Sequence, residues 1–482
     1  MGNAAQANSG EGASGPSHLH QLSATALAAG LRYGSWSSVE LTRHFLARIA
    51  AVNPSVHAVV GLEADAALAQ AAASDARRAA GAALGPLDGL PMTVKDAFRV
   101  KGCRTTYGYW MFRNYRPNTD SRVVEVLRAQ GLVFMGRTAV PTGSFDWNCR
   151  NQLHPECVNP FDALRTPGGS SGGAAAALAA GLTPLELGSD FHGSLRYPAH
   201  CCGVYSLRTT DGWLPIDDWG PEEFSAPFRH IATCGPMARS LEDLQLLLVA
   251  YERAFPLPAC PGPSRASGQL RIAYSKELLG LRPDQATTRL FEEMLDKLAQ
   301  QGHELSEAAP DVDWRALERD FGTIGGHEFV ALLPRLLRNG LVKRLYARLA
   351  LQARLGTGPF LTDFRRGMLA GRQEYEVALQ RRERVFLGVE RFFAAHDLWI
   401  LPVSPAAAIP LSLCGKKIPA GNGEVEYLRY LGSYLGPTAM LGTPALAVPI
   451  GRGENGLPIG MQVHGPRFSE RSLLHMAARC AL

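Results

Sequence analysis

The sequence predicts an α/β fold built on a mixed, layered sheet, and three observations carry that expectation. Helix-type and strand-type patterns alternate along most of the chain, which favours helices packed on a sheet. Between residues 165 and 198 a Gly/Ser loop (168–173), a small-residue run (174–180) stopped by Gly181, a short apolar segment (184–187) and a second Gly/Ser turn (188–194) read as loop, helix, strand and turn. Small side chains let such a helix sit close on a sheet, and glycine supplies the backbone angles that the turns require. At 482 residues the chain is long for one core, yet a single large α/β domain with insertions accommodates it.

Each element has a local reason. A short helix is expected over 23–32. Ser37-Ser38-Val39-Glu40 is a capping box, and Leu41, Phe45, Ile49 and Val52 form a helical stripe that Asn53-Pro54 ends. An Ala-rich helix covers about 64–83, and 91–94 is a short strand that presents Lys95. Asp120 caps a helix through Gln130, Gly131 closes it, and 132–135 is the next strand. The irregular loop 145–162, with Asp146, Trp147, Asn151, Asn159 and Pro160, reads equally as pocket wall and as support for the loop after it. Ser240 caps an apolar helix over 241–254, and 255–268 (FPLPACPGPSRASG) is linker-like. A strand over 270–274 and a helix over 284–301 precede a mainly helical block, 310–395. Buried strands are expected at 398–403 and 444–450, and Ser469 starts a final helix. No solenoid-type repeat is present.

Composition narrows the function classes. The hydrophobic fraction of 46% fits a soluble globular protein, and no apolar run approaches the roughly 18 residues a bilayer requires, so no membrane partner is expected. Residues 1–18 hold no Lys or Arg and no apolar core, which makes them a disordered tail rather than a secretion signal. Met1-Gly2 opens like a myristoylation motif, but Gln6 breaks it. A net charge of +5 without a basic cluster points away from nucleic acid. Nine scattered cysteines with no CxxC pair point to reduced thiols in the cytoplasm, and neither a metal site nor a cofactor is expected. The vicinal Cys201 and Cys202 read as core packing, with a pocket-wall role as the alternative.

The 165–198 stretch resembles the signature of the amidase signature family of serine hydrolases. The matching features are GGSSGG, the AAGL segment, the Gly188-Ser189-Asp190 triplet, and Gly193-Ser194 followed by Leu-Arg and Pro. Residues 85–96, GPLDGLPMTVKD, resemble the family's catalytic-lysine strand, and 456–462, GLPIGMQ, its C-terminal strand. The resemblance implies one large α/β/α layered domain over 19–482, with its core at about 64–254 and 396–482, a central mixed twisted sheet covered by helices, and a mainly helical variable region at about 275–395. It also implies a Ser–cis-Ser–Lys arrangement. Ser194 attacks the substrate carbonyl, Ser170 relays the proton, and Lys95 accepts it.

That chemistry places three demands on the chain. Lys95 has to be neutral at working pH, which burial in an apolar, hydrogen-bonded site achieves; Thr93, Val94, Ala97 and Phe98 offer largely apolar flanks, and Asp96 is expected on the other side of the strand. Ser170 has to sit between Lys95 and Ser194, with a cis peptide joining it to Gly169, and Ser171 is the rival serine. The turn Phe191-His192-Gly193-Ser194 has to aim consecutive N–H groups at the oxyanion, where one donor is worth roughly 3–4 kcal/mol. Trp147 is a further substrate-binding candidate. Asp190 and Arg196 match family positions and are expected to brace the turn. Two departures stand out. His192 occupies a usual glycine position, strained if that position needs positive φ, and reads as a specificity or access residue with a catalytic imidazole as the alternative; Arg208-Thr209 replaces the usual Lys-Pro.

The leading expectation is therefore an amide hydrolase acting on a small-molecule amide, with homodimer formation left open. Three alternatives share the signature or its remnants: a biosynthetic acyltransferase using the same acyl-enzyme, a pseudo-amidase scaffold altered by His192, and the glutaminase subunit of a tRNA amidotransferase. The last is disfavoured because Tyr197 follows Arg196 where that branch often has a polar residue, and because the C-terminal half looks unlike it.

Overall fold

The computed structural model describes residues 18–482 except 217–219, 222–227, 260–267, 334–337, 356–357 and 421–422. The tail expected over 1–18 lies outside the described residues but for His18, as does much of the 255–268 linker. Helix α1 (Ala24–Tyr33) is capped by the Ser23 side chain, and α2 (Ser38–Val56) by the expected Ser37–Glu40 box. Helix α2 does not end at Asn53-Pro54 but runs on to Val56. A proline forfeits only the bond from its own nitrogen, and the left-handed cap at His57 closes the last turn with an N–H to the Asn53 carbonyl at 2.8 Å.

Strand β1 (Val59–Leu62), helix α3 (Ala64–Ala79), strand β2 (Pro91–Lys95), helix α4 (Arg122–Ala129) and strand β3 (Val133–Thr138) follow. Helix α3 stops at Ala79, short of the expected 83, where Arg77 and Arg78 turn back to bind the buried Asp88. Asp120 is not the cap of α4. Ser121 holds that position, and the Asp120 carboxylate instead accepts the Lys101 N–H at 2.7 Å and Arg128 Nη2 at 3.0 Å. Strand β3 pairs in parallel with β2 and antiparallel with β1, so Lys95 stands at the carboxyl end of a small three-stranded sheet.

The central stretch folds as helix α5 (Gly172–Ala179), strand β4 (Leu185–Asp190), helix α6 (Arg196–Cys202), strands β5 (Tyr205–Arg208) and β6 (Thr233–Ala238), and helix α7 (Leu241–Ala254), which Ser240 caps as expected. The small residues of α5 are buried, and at Gly173 a Cβ would stand 2.2 Å from the Ala139 nitrogen. Only glycine admits that approach.

Beyond the linker come strand β7 (Arg271–Tyr274), helix α8 (Gln285–Gln300) and strand β8 (Glu304–Glu307). Helices α9 (Trp314–Phe329), α10 (Gly340–Leu355), α11 (Pro359–Leu369) and α12 (Arg372–Ala395) fill the next stretch. The chain returns through strand β9 (Leu398–Pro402), the short pair β10 (Ile418–Ala420) and β11 (Gly423–Val425), and helices α13 (Tyr427–Gly432) and α14 (Gly436–Ala439). Strands β12 (Ala445–Arg452) and β13 (Pro458–His464) and helix α15 (Glu470–Arg479) complete it. Among the described residues the large sheet has the order β4-β6-β5-β12-β13-β9-β7-β8, antiparallel from β4 to β9 and parallel from β9 to β8. This is the mixed α/β architecture expected. No helix among the described residues is long and apolar enough to cross a membrane.

Candidate active site

Lys95, the last residue of β2, is fully buried. Its Nζ lies 2.7 Å from Ser170 Oγ, 2.9 Å from Ser171 Oγ, 2.9 Å from Ser189 Oγ and 3.5 Å from the Ser189 carbonyl. Burial drives its pKa down from 10.5 to about 7, against the opposing pull of Cys149, Asp190 and Glu186. The ring of hydroxyls solvates the amine without supplying a counter-ion, which favours the free amine far more than in an ordinary lysine.

Both serines of the loop before α5 reach this amine, and their backbone ties separate them. The Ser171 hydroxyl donates to the Ser189 carbonyl at 3.2 Å and accepts the Ser189 N–H at 3.4 Å, which fastens it to β4. Ser170 follows a cis Gly169–Ser170 peptide bond. The Ser171 N–H donates to the Ser194 carbonyl at 3.2 Å and brings the two Gly/Ser turns side by side.

The second turn is held from beneath by Asp190. Its carboxylate accepts the N–H groups of Gly193 (2.8 Å) and Leu195 (3.1 Å) and both Nε and Nη2 of Arg196 (3.1 Å each). Burial alone would raise this carboxyl, but Arg196 and Arg208 with the backbone donors outweigh it and hold it well below the usual carboxylate range. Arg208 Nε stands 3.7 Å from Asp190, so the residue found in place of the usual lysine also serves the brace. Arg196 reaches on to Thr438 Oγ1 (2.7 Å), Gln462 Oε1 (2.8 Å) and the Leu435 carbonyl (3.0 Å).

Two expectations for the turn need correction. The left-handed residue is Gly193, at φ +89°, where a Cβ would stand 2.5 Å from the Leu435 side chain; His192 has no positive φ and is not strained. The run of amides is interrupted at Gly193, whose N–H is committed to Asp190, while Phe191 and His192 remain a consecutive pair. The turn amides not bound by Asp190 are those of Phe191, His192 and Ser194.

Ser194 opens onto a narrow cleft walled by Phe145, Trp147, Phe191, His192, Phe360 and Leu428. Trp147 Nε1 donates to the His192 carbonyl at 2.9 Å, so this ring both lines the cleft and steadies the turn. The imidazole packs on Trp147, Phe321 and Phe360 with ring centroids 4.5–4.8 Å apart. Removal from water, with Arg196 nearby, lowers its pKa to about 3, so it is neutral under all ordinary conditions. Asp146, at the cleft edge, accepts the Tyr427 hydroxyl (2.8 Å) and the Trp147 N–H (2.7 Å). Asn151 and Asn159 bind backbone carbonyls of Val140, Thr166 and Cys201, and Cys201 and Cys202 are fully buried; these are supports.

Sequence reasoning misses four residues of this arrangement. Ser189 is visible only as the middle of the Gly-Ser-Asp triplet. Phe145, Phe360 and Leu428 carry no local signal, because they meet only through the packing of α11 and α13 on the turn.

The chain as a whole is similar to known proteins. A family model described as Amidase matches residues 40–474. The chain is 34% identical to a glutamyl-tRNA(Gln) amidotransferase subunit from Chloroflexus aurantiacus over 485 aligned residues, covering 95% of this chain and 96% of that one. The expectation that the C-terminal half is unlike that branch is overturned by this coverage. Among solved structures, the fold resembles a 6-aminohexanoate cyclic dimer hydrolase (TM-score 0.77, 26% identity, 96% and 97% of the two chains covered). It also resembles the native peptide amidase from Stenotrophomonas maltophilia (TM-score 0.76, 27% identity, 96% and 97% covered).

Proposed function

The chain belongs to the amidase family, and from that premise we propose that it is a serine amide hydrolase that cleaves a linear, small-molecule C–N amide through an acyl-enzyme. The observation that carries the reading is the buried amine of Lys95 held 2.7 Å from the Ser170 hydroxyl. Ser194 Oγ bonds to the substrate carbonyl carbon while its proton passes to Ser170 and the Ser170 proton to Lys95. The oxyanion is met by turn amides, each worth roughly 3–4 kcal/mol of barrier. The proton returns along the same relay to the departing nitrogen as the C–N bond breaks. Water then gives up a proton by that route, attacks the ester and frees the acid.

A fluorophosphonate probe followed by peptide mass analysis tests the nucleophile. The expected result is a single adduct on Ser194 that Ser194→Ala abolishes. An unlabelled protein, or an adduct elsewhere, refutes the assignment. Hydroxamate formed with added hydroxylamine reports the acyl-enzyme, and free acid formed in water alone separates hydrolysis from obligate acyl transfer.

A second reading, membership of a tRNA amidotransferase complex, is favoured by the identity to the Chloroflexus protein. Free glutamine would bring a carboxylate and an ammonium to Ser194. Among the described residues the cleft offers aromatic walls with Asp146 and no cationic side chain, which supports the amide-hydrolase reading instead. Co-purification of partner subunits from cells expressing the chain at native level would reverse that preference.

A further inference from the structure

Behind the reaction cleft lies a second, narrow space with room for about one water, bounded by Glu318, Phe321, Gly432, Gly436 and Pro437. His192, Phe360 and Leu428 line both spaces, so these three side chains form the wall between them. The imidazole is the central panel. A Cβ built on Gly436 would stand 2.2 Å from His192 Nε2, and one on Gly432 would stand 3.0 Å from the ring. Both positions on the far side are therefore glycine where the imidazole needs the room.

Resting on the hydrolase reading, we infer that His192 is the specificity-determining residue of this site: its ring closes the acyl side of the cleft and restricts the substrate to amides of compact, uncharged aromatic or short apolar acids. The cleft matches such a group. Phe145, Trp147, Phe191 and Phe360 offer ring faces and edges, while Asp146 opposes a negatively charged acyl group. Without the ring the two spaces merge, and an extended acyl chain gains a path toward Phe321 and Glu318. Ser194 retains its place because the Trp147 bond to the turn runs to the His192 carbonyl, not to its side chain.

The test is an acyl series of primary amides, benzamide against hexanamide and decanamide, assayed as kcat/KM for the full chain and for His192→Ala, Leu428→Ala and His192→Phe. Parent enzyme is expected to favour benzamide. The decanamide-to-benzamide ratio should rise roughly tenfold or more in His192→Ala and, through the same wall, in Leu428→Ala, since each buried methylene is worth about tenfold or more in such pockets. His192→Phe, which keeps the panel, should hold the parent ratio. A ratio unmoved in both alanine variants while Ser194 still takes the fluorophosphonate overturns the inference and leaves the hydrolase reading intact. The same ratio shift in a matched series varying only the amine half would also overturn it, because the wall would then bound the leaving-group side. No labelling of Ser194 in the parent takes both down together.

Discussion

Replacing Lys95 is the most informative perturbation, because its consequences for rate and for stability follow from one number. With a pKa of about 7 rather than 10.5, roughly half of the Lys95 amines are neutral at pH 7, against about one in 3,000 for an ordinary lysine. The expected kcat/KM profile rises through pH 7 and is on the order of a hundredfold lower at pH 5 than on the plateau. Lys95→Ala should lower the plateau by about 10²–10⁴-fold and erase the limb near pH 7. Stability has its own signature. The folded pKa lies below the unfolded one, so between pH 7 and 10.5 the unfolded chain binds more protons and stability rises with pH. Below pH 7 the folded state carries a buried ammonium and the full destabilisation, about 5 kcal/mol at roughly 1.4 kcal/mol per pH unit. Lys95→Met cannot titrate, so the parent should gain stability relative to Lys95→Met by a few kcal/mol as pH rises from 7 toward 10.5. Urea unfolding of both proteins across that range, read as a difference, isolates the one group. An activity limb above pH 9, or a stability difference that does not change with pH, would refute a neutral buried base.

Other residues give separate tests. Glu186 is fully buried, its pKa raised to about 7 by burial, and when ionised it favours the protonated form of Lys95; Glu186→Gln should move the kcat/KM limb to lower pH, and an unmoved limb would remove Glu186 from the control of the base. The raised carboxyl also makes stability fall as pH climbs from 4.5 to 7, a slope that Glu186→Gln should flatten in denaturant titrations. Asp190→Asn leaves the buried Arg196 without its carboxylate, while Arg208 keeps Asp211, and should destabilise by about 3–5 kcal/mol, measurable as a lowered urea midpoint. Gly193→Ala demands a left-handed alanine against Leu435, and should cost about 1–3 kcal/mol and depress kcat more than KM, whereas a wild-type kcat would show that the turn tolerates reshaping.

Much of the fold is legible because it is written locally. The Ser37–Glu40 box, the Ser240 cap and the glycine-punctuated run around α5 are short-range devices, and each forms where its residues stand. Errors fall where a side chain prefers a distant partner to a local one: Asp120 leaves the cap of α4 for Lys101 and Arg128, and Arg77 and Arg78 end α3 to meet Asp88. The site divides in the same way. Lys95, Ser170 and Ser194 are named from motifs and lie within one cluster of loops and strand ends. Ser189 is not, because a serine in a strand announces nothing about which amine it faces. The aromatic wall is legible only in Trp147 and the Phe191-His192 turn; Phe145 stands more than 200 residues before Phe360 and Leu428 and meets them only through tertiary packing.

Arg196 carries a consequence for how the protein comes into being. Its guanidinium joins the turn beside Ser194 to Leu435, Thr438 and Gln462, groups made long after the turn itself. While the ribosome still holds those residues, a nascent chain has the turn but lacks the struts that hold it from the far side. A chain that ended before Leu435 would keep the Asp190 brace of the turn and lose all three of these distant hydrogen bonds.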